Sequence, residues 1–114
     1  MKFEIERTNK KHLKQLKYKK RTGENVGESK YQYFTKTITL EKYNNSPVLS
    51  CEIKVFLREN QTAEVTVDVY NSGNLTPYAL FYNDSGTNKF VNKLKRKIRQ
   101  EVDKIGIEER SEVA

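Results

Sequence analysis

The chain has 114 residues, of which 35% are hydrophobic and 32% are charged, with a net charge of +7 and a mean hydropathy of −0.88. This length suits a single domain with one modest core and excludes most multi-domain enzymes. The apolar runs are too short for a membrane-spanning helix, and charges occupy the N-terminus where a secretory signal needs an apolar stretch. We therefore expect a small, basic, cytoplasmic protein.

The charges divide the chain into three parts. Residues 1–30 carry ten basic and four acidic residues, residues 31–88 carry four basic and six acidic, and residues 89–114 carry eight basic and five acidic. Basic ends around a near-neutral middle indicate an acidic or polyanionic partner. A lysine-rich surface that only keeps the protein in solution explains the same numbers equally well.

Residues 1–30 read as a basic N-terminal segment. Polar and apolar residues alternate from Lys2 to Arg7, which is typical of a short strand. Seven of the twelve residues from Lys10 to Arg21 are Lys or Arg, and the pattern predicts a weakly amphipathic helix with Asn9 as its cap. Two glycines in residues 22–30 predict a flexible loop.

Residues 31–107 read as an α+β domain. Alternating polar and apolar residues predict strands over 32–42, 49–58 and 63–70, and residues 77–83 are a candidate fourth strand. The connections between them are short, with a turn at residues 44–47. The pattern predicts an antiparallel meander of three or four strands with one dry face.

The last element of this domain is predicted to be an amphipathic helix. It follows the turn and capping residues 83–88, runs to about Ile105 and ends at Gly106. Its apolar stripe spans an arc of about 120° and covers one face of the sheet. Residues 108–114 are expected to be a frayed tail. The apolar stripe consists of Phe90, Val91, Leu94, Ile98, Val102 and Ile105.

The residue types give little support to catalytic or metal chemistry. Cys51 lies on the apolar face of a predicted strand, where a thiol is buried and inert. His12, the single histidine, lies in a basic run with nothing to orient it as a general base, so we expect it to be exposed. Residues 84–88 lack the spacing of a calcium loop. We expect no enzyme, no metal site and no cofactor.

Basic residues at two places form the candidate nucleic-acid-binding set. One group is the N-terminal lysine-rich run, and the other is the polar face of the C-terminal helix, where Lys and Arg at i, i+4 spacing suit a row of phosphates. The candidate phosphate contacts are Lys10, Lys11, Lys14, Lys17, Lys20, Arg21, Lys89, Lys93, Arg96, Lys97, Arg99 and Lys104.

Four aromatic residues, Tyr31, Tyr33, Phe56 and Tyr70, are predicted on the outer face of the sheet. Exposed rings on an antiparallel sheet are typical of surfaces that stack unpaired bases. Alternatively, the N-terminal segment covers these rings, or they cover one another as cross-strand pairs. The same exposed patch would also suit a protein partner.

The predicted element order resembles two known families. The order short helix, three strands and helix, over about residues 10–104, resembles that of the double-stranded RNA-binding domain, with Lys89, Lys93 and Lys97 at the start of the last helix. A ribosome-associated hibernation factor is a comparable match of order. Where the RNA-binding family has a Gly-Pro-x-His loop, this chain has Asn-Asn-Ser-Pro at residues 44–47. Order alone therefore assigns no family.

Two functions stay open at this point. The first is a non-enzymatic accessory protein that binds DNA or RNA, largely independently of sequence and with strong salt dependence. The second is a stoichiometric inhibitor or adaptor that docks through its sheet face or edge, or through its basic face, on an acidic or nucleic-acid-binding protein. A homo-oligomer built through sheet faces or edges is a further reading. In composition, the short length and high lysine and asparagine content resemble small accessory proteins of phages and mobile elements in low-GC bacteria, although no motif supports this.

Overall fold

A computed structural model describes residues 1–24 and 30–107 of the chain. Its fold class is α+β, as the sequence predicts, with five antiparallel strands in one open sheet. Part of the predicted loop (25–29) and the predicted tail (108–114) lie outside the described residues. The elements are β1 (Lys2–Ile5), α1 (Lys10–Gln15), β2 (Lys19–Glu24), β3 (Lys30–Tyr43), β4 (Ser46–Leu57), β5 (Ala63–Asn71), α2 (Ala79–Asn83) and α3 (Lys89–Asp103).

The N-terminal segment supplies both edges of the sheet. The strand order is β1-β5-β4-β3-β2, so β1 pairs with β5 at one edge and β2 pairs with β3 at the other. Between them, α1 places Leu13 in the core, so this connection lies on the helix side of the sheet. The order strand, helix, four strands and two helices departs from both families that the predicted order resembles.

The predicted helix from Lys10 to Arg21, with a loop after it, is wrong beyond Gln15, because residues from Lys19 to Glu24 form the strand β2. Asn9 caps α1 as predicted, accepting a hydrogen bond from the His12 backbone N–H at 2.9 Å, but the helix ends at Gln15. The left-handed backbone at Lys17 (φ 71°) then turns the chain into β2. An edge strand rich in lysine has no alternating apolar face, so its sequence does not reveal it.

β3 and β4 form a long hairpin through a tight turn. Asn44 and Asn45 both have positive φ angles, 48° and 64°, as a two-residue type I′ turn requires. The turn predicted over 44–47 is therefore shorter, and Pro47 already lies in β4 opposite Lys42. A register shift after Thr39 marks a β-bulge in β3.

Residues 77–83 do not form the predicted fourth strand. Pro77 makes one isolated bridge to Tyr70, and residues 79–83 form the short helix α2. Proline has no N–H for a second ladder bond, and Phe81 is buried in the core from the helical conformation. The loop nevertheless protects the edge of β5, because the Tyr82 hydroxyl accepts a hydrogen bond from Val69 N–H at 2.9 Å.

α3 begins where the sequence predicts and ends slightly earlier. The Asn88 side chain caps it by accepting hydrogen bonds from the N–H groups of Phe90 (2.9 Å) and Val91 (3.1 Å). The helix ends at Asp103, and Gly106 does not take the left-handed conformation expected of a terminating glycine. Instead, Ile107 N–H donates to the Arg7 carbonyl oxygen at 2.8 Å, which draws the chain toward the end of β1.

The core lies between the helices and one face of the sheet. The other face, here called the open face, has none of the described helices packed over it. None of the described helices is long and apolar enough to cross a membrane. The buried apolar side chains are Leu13, Tyr18, Phe34, Leu40, Leu49, Cys51, Ile53, Val55, Ala63, Val65, Val67, Val69, Phe81, Val91, Leu94, Ile98, Val102 and Ile105.

Candidate functional site

Three rings form a continuous cluster on the open face. The Tyr33 and Phe56 rings stack with centroids 5.6 Å apart, and Tyr31 lies 5.9 Å from Tyr33 and 6.2 Å from Phe56. The alternation of β3 and β4 points all three side chains away from the helices, because Phe34 and Val55 point into the core. The cluster is thus a patch of adjacent rings rather than scattered aromatics.

The cluster is only partly covered. Tyr31 is 38% exposed, and Tyr33 and Phe56 are half-buried, mainly against one another. The Tyr31 ring also lies over Gly23 of β2, where any β-carbon would overlap it. The rings cover one another across the strands, which was one of the two alternatives to full exposure. The other alternative was cover by the N-terminal segment, but the described N-terminal elements lie at the edges of the sheet and on its helix side.

Basic side chains border the rings. Arg21 is paired opposite Tyr33 and Lys19 opposite Thr35, so both side chains lie on the open face. Lys54 lies with its ammonium nitrogen 5.6 Å from the Tyr33 ring centroid and 3.5 Å from the Glu52 carboxylate, so its charge is shared with that ion pair. We name these six residues, the three rings with Lys19, Arg21 and Lys54, the aromatic-basic face. A groove of about 450 Å³ runs beside it and is lined by Lys17, Lys19, Arg21, Tyr33, Thr35, Lys36, Thr37 and Glu52.

A second groove, of about 540 Å³, lies at the β5 end of the open face. Glu52 lines both grooves, so they meet across β4. Tyr70, a predicted stacking residue, lines this second groove and is paired with Ser50, six residues along β4 from Phe56. It is therefore not part of the aromatic-basic face. The second groove, here called the β5 groove, is lined by Glu52, Asp68, Val69, Tyr70, Leu75, Pro77 and Tyr82.

The charges at the β1 edge neutralise one another. Arg58 donates two hydrogen bonds to the Glu4 carboxylate, at 2.8 and 3.0 Å, and Lys2 pairs with Glu64 at 3.8 Å. The Arg58 hydrogen bonds lower the pKa of the Glu4 carboxyl below its usual value. Basic groups bordering aromatic rings are thus concentrated at the β2–β3 side of the open face.

The predicted phosphate contacts do not form one surface. Lys10, Lys11 and Lys14 are exposed on α1, on the helix side of the sheet. The lysine run that continues from them divides at β2, because Lys20 is paired with Phe34 and shares its side of the sheet, whereas Arg21 is on the open face. Lys17 lines the groove beside the aromatic-basic face.

The basic residues of α3 point away from the aromatic-basic face. At 100° per residue, Lys89, Lys93 and Arg96 lie on the side of the helix opposite its buried stripe. Arg99 is exposed on a flank of the helix. The helix layer separates all four from the open face, so one short nucleic-acid segment cannot contact both surfaces.

Two predicted contacts on α3 already have partners within the protein. The Lys97 ammonium donates a hydrogen bond to the Leu40 carbonyl oxygen at 2.7 Å, which ties α3 to the bulged part of β3. Lys104 donates to the Glu101 carboxylate at 3.0 Å. Their positive charges are therefore less available for phosphates than those of Lys89 or Lys93.

The single cysteine and histidine have structural surroundings. Cys51 is fully buried as predicted, and burial raises the pKa of its thiol to about 12. His12 is not simply exposed, because its ring Nε2 donates a hydrogen bond to the Lys104 carbonyl oxygen at 2.7 Å and joins α1 to the end of α3. Among the described residues no group of three His, Cys, Asp or Glu side chains could hold a metal ion.

Sequence reasoning missed four open-face residues with direct bearing on the site: Lys19, Lys54, Glu52 and Asp68. Lys19 was hidden because β2 was not recognised as a strand. The alternation of β4 and β5 does place the other three on the outer face with Phe56 and Tyr70. Which residues of β4 and β5 lie opposite each other depends on the strand register, and a single sequence does not determine that register.

Comparison with known proteins gives no relative for this chain. No family model matches it, and no curated protein or solved structure matches it significantly. The geometry of the open face is therefore the basis for assigning a function.

Proposed function

We propose that this protein binds single-stranded nucleic acid on its aromatic-basic face. Unpaired bases stack on the Tyr31, Tyr33 and Phe56 rings, and Lys19, Arg21 and Lys54 contact the phosphates. The observation that carries the proposal is the cluster of three rings, 5.6–6.2 Å apart, bordered by three basic side chains on a sheet face over which none of the described helices packs.

The arrangement favours single strands over duplexes. In a duplex the flat faces of the bases are stacked on one another, whereas in a single strand they are free to stack on side chains. Such stacking contributes about 1–3 kcal/mol per base and tolerates any sequence, because every base has a flat face. A duplex would contact only the basic side chains and would not stack on the rings.

The basic rim adds an electrostatic contribution that depends on salt. For single strands, each neutralised phosphate contributes about −0.7 to the slope of log K against log salt concentration. Contacts from Lys19, Arg21 and Lys54 give a slope contribution of at most about −2, because Lys54 is also paired with Glu52. Rings and charges therefore have separate experimental signatures.

Fluorescence anisotropy tests the proposal with labelled single-stranded and duplex DNA and RNA, at low and at physiological salt. The triple variant Lys19→Gln, Arg21→Gln, Lys54→Gln should weaken single-strand binding and make the salt slope less negative by up to about 2. The matched control removes three charges from α3, as Lys89→Gln, Lys93→Gln, Arg96→Gln, and should leave most of the affinity. Circular dichroism confirms that both variants fold.

Three results would overturn the proposal. Equal binding of duplex and single strands would show that the rings are not used. Loss of binding in the α3 variant alone would assign the interface to the helix side, through Lys89, Lys93 and Arg96. Binding that vanishes by physiological salt in the unaltered protein would mean that its charge acts non-specifically.

A second candidate function is a protein-binding inhibitor or adaptor, and the observation that favours it is a free strand edge. β2 covers β3 only as far as Thr35, and from Lys36 to Tyr43 the described residues provide no strand partner on that side. An exposed edge is a site where an extended segment of a partner can add as a further strand. A tight, salt-tolerant complex with one protein, or self-association seen by sedimentation, would favour this candidate.

A further inference from the structure

The β5 groove differs in charge from the aromatic-basic face beside it. Glu52 and Asp68 are directly opposite each other on β4 and β5, so two carboxylates lie side by side on the floor of the groove. Glu52 has Lys54 at 3.5 Å, whereas Asp68 is exposed and none of the described residues forms an ion pair or hydrogen bond with its side chain. The groove therefore presents one neutralised carboxylate and one that is free to accept hydrogen bonds.

The walls of the groove are aromatic and apolar. Tyr70 and Tyr82 both line the groove, and Pro77 forms a β-bridge with Tyr70. The Tyr82 ring is held in place because its hydroxyl accepts a hydrogen bond from Val69 N–H. Leu75, which is 72% exposed, lies at the rim. A flat ring with hydrogen-bond donors on its edge suits this combination of walls and floor.

We propose that the β5 groove recognises a guanine base of the bound single strand, with Asp68 as the acceptor of its hydrogen bonds. This inference rests on the proposed function. Lys19 on β2 and Asp68 on β5 are three strand spacings apart, about 14 Å across the sheet. A strand held by its phosphates at the basic rim can therefore extend across the sheet and place a base in the groove.

The charge of the floor selects the part of the nucleic acid that enters. The Asp68 carboxylate, which no described basic group neutralises, repels phosphates, so the backbone stays at the basic side and a base enters the groove. Among the bases, guanine carries two adjacent donors, N1–H and the N2 amino group, which match the two oxygens of one carboxylate. Uracil and thymine place carbonyl oxygens on both sides of their single N–H donor, and these are repelled by Asp68. Cytosine and adenine offer an amino group beside an acceptor nitrogen.

Anisotropy measurements on strands of equal length and charge test this inference. The probes are oligothymidylates with one central position changed to guanine, inosine, adenine or cytosine. Inosine has the same ring system as guanine and lacks only the N2 amino group. We expect the guanine strand to bind more tightly than the inosine strand by a factor of about 5 to 150, the range of a good bidentate base contact.

Two variants assign the preference to Asp68. Asp68→Asn should bring the guanine and inosine strands to nearly equal affinity, because the neutral amide is a weaker acceptor and presents a donor as well. Glu64→Gln is the matched control, since Glu64 is also on the open face of β5 but is ion-paired with Lys2 and Arg58, outside the groove. It should keep the preference.

The outcomes separate this inference from the function on which it rests. Equal binding of all four strands, with affinity that still depends on the Tyr33 ring, overturns guanine recognition and leaves the proposed function standing. Absence of binding by every strand overturns both. A guanine preference that persists in Asp68→Asn removes Asp68 from the recognition and overturns the assignment made here.

Discussion

Replacement of Tyr33 gives the sharpest test of the aromatic-basic face. Tyr33 is close to both other rings, with its centroid 5.9 Å from that of Tyr31 and 5.6 Å from that of Phe56. Tyr33→Ala removes one stacking platform, so we expect single-strand binding to weaken by about 1–3 kcal/mol, or about 5- to 150-fold. The salt slope should not change, because the side chain contributes no charge to phosphate contacts.

The same variant has a predictable effect on stability that must be measured separately. An aromatic pair contributes about 0.5–1.5 kcal/mol beyond the area it buries, so losing two pairs costs about 1–3 kcal/mol. Urea unfolding measures this decrease in the free energy of unfolding. Binding is then compared under conditions in which the variant is fully folded. Tyr33→Phe keeps the ring and both contacts, and it should bind within about twofold of the unaltered protein.

Tyr70→Ala is the control for aromatic content, since Tyr70 lies outside the cluster. With an oligothymidylate probe, which offers no guanine to the β5 groove, this variant should bind almost as well as the unaltered protein. Base stacking on the aromatic-basic face is refuted if Tyr33→Ala and Tyr70→Ala weaken binding equally. It is also refuted if Tyr33→Ala alters the salt slope without altering affinity at low salt.

Three further predictions concern the core and the β2 edge. The Tyr18 hydroxyl is buried without a hydrogen-bond partner among the described residues, so Tyr18→Phe should raise the free energy of unfolding by about 1–2 kcal/mol in urea titrations; a decrease would reveal a partner. Burial raises the pKa of the Cys51 thiol to about 12, so the thiol ionises at a lower pH in the unfolded chain than in the folded protein. The free energy of unfolding should therefore fall as pH rises above about 9, by up to about 1.4 kcal/mol per pH unit. Cys51→Ala should flatten that dependence in unfolding curves measured between pH 8 and 10.5, and an unchanged slope would exclude the thiol as its source. Finally, Lys19→Gln should weaken single-strand binding more than Lys20→Gln, since only Lys19 is on the open face; anisotropy showing equal effects would mean that net charge alone matters.

The central strands could be predicted from sequence because one of their faces is buried. β4 and β5 alternate strictly, with Cys51, Ile53 and Val55 on one strand matched by Val65 and neighbouring valines on the other. Burial of one face forces period-two alternation, and the sequence records it. The stripe of α3 and its Asn88 cap were predictable for the same reason, since they follow the period of a helix that covers a core.

The edges of the sheet were less predictable because local pattern does not determine them. β2 forms through backbone pairing with β3 and buries almost nothing of its own, so Lys19, Lys20 and Arg21 look like a charged helix or loop. Its existence depends on the neighbouring strand and on the turn at Lys17, which are tertiary features. Similarly, Pro77 to Asn83 has strand-like composition, yet it becomes a loop and a short helix because Phe81 reaches the core.

In the candidate site, too, some features follow from the local sequence pattern and others depend on how the strands pair. Alternation alone puts Tyr31, Tyr33, Phe56 and Tyr70 on one face, and the structure agrees. Which of them touch is decided by the strand register, and this separates Tyr70 from the other three rings. The sequence pattern therefore predicts that the four rings share one face, but it does not predict which of them touch.

The basic residues of β2 have two possible roles, protection of the strand edge and binding of nucleic acid. Only the second role requires their side chains to lie on a particular face of the sheet. Charges on an edge strand prevent unwanted strand pairing, and for that purpose either face of the strand serves. Nucleic-acid binding requires charge on the side that carries the rings, and Lys19 and Arg21 meet this requirement together with Lys54, which belongs to β4, an interior strand with no edge to protect. Lys54 lies over the Tyr33 ring instead of extending into solvent at an edge. Protection of the edge therefore explains Lys20, but it does not explain why basic groups from two non-adjacent strands converge on the same aromatic cluster.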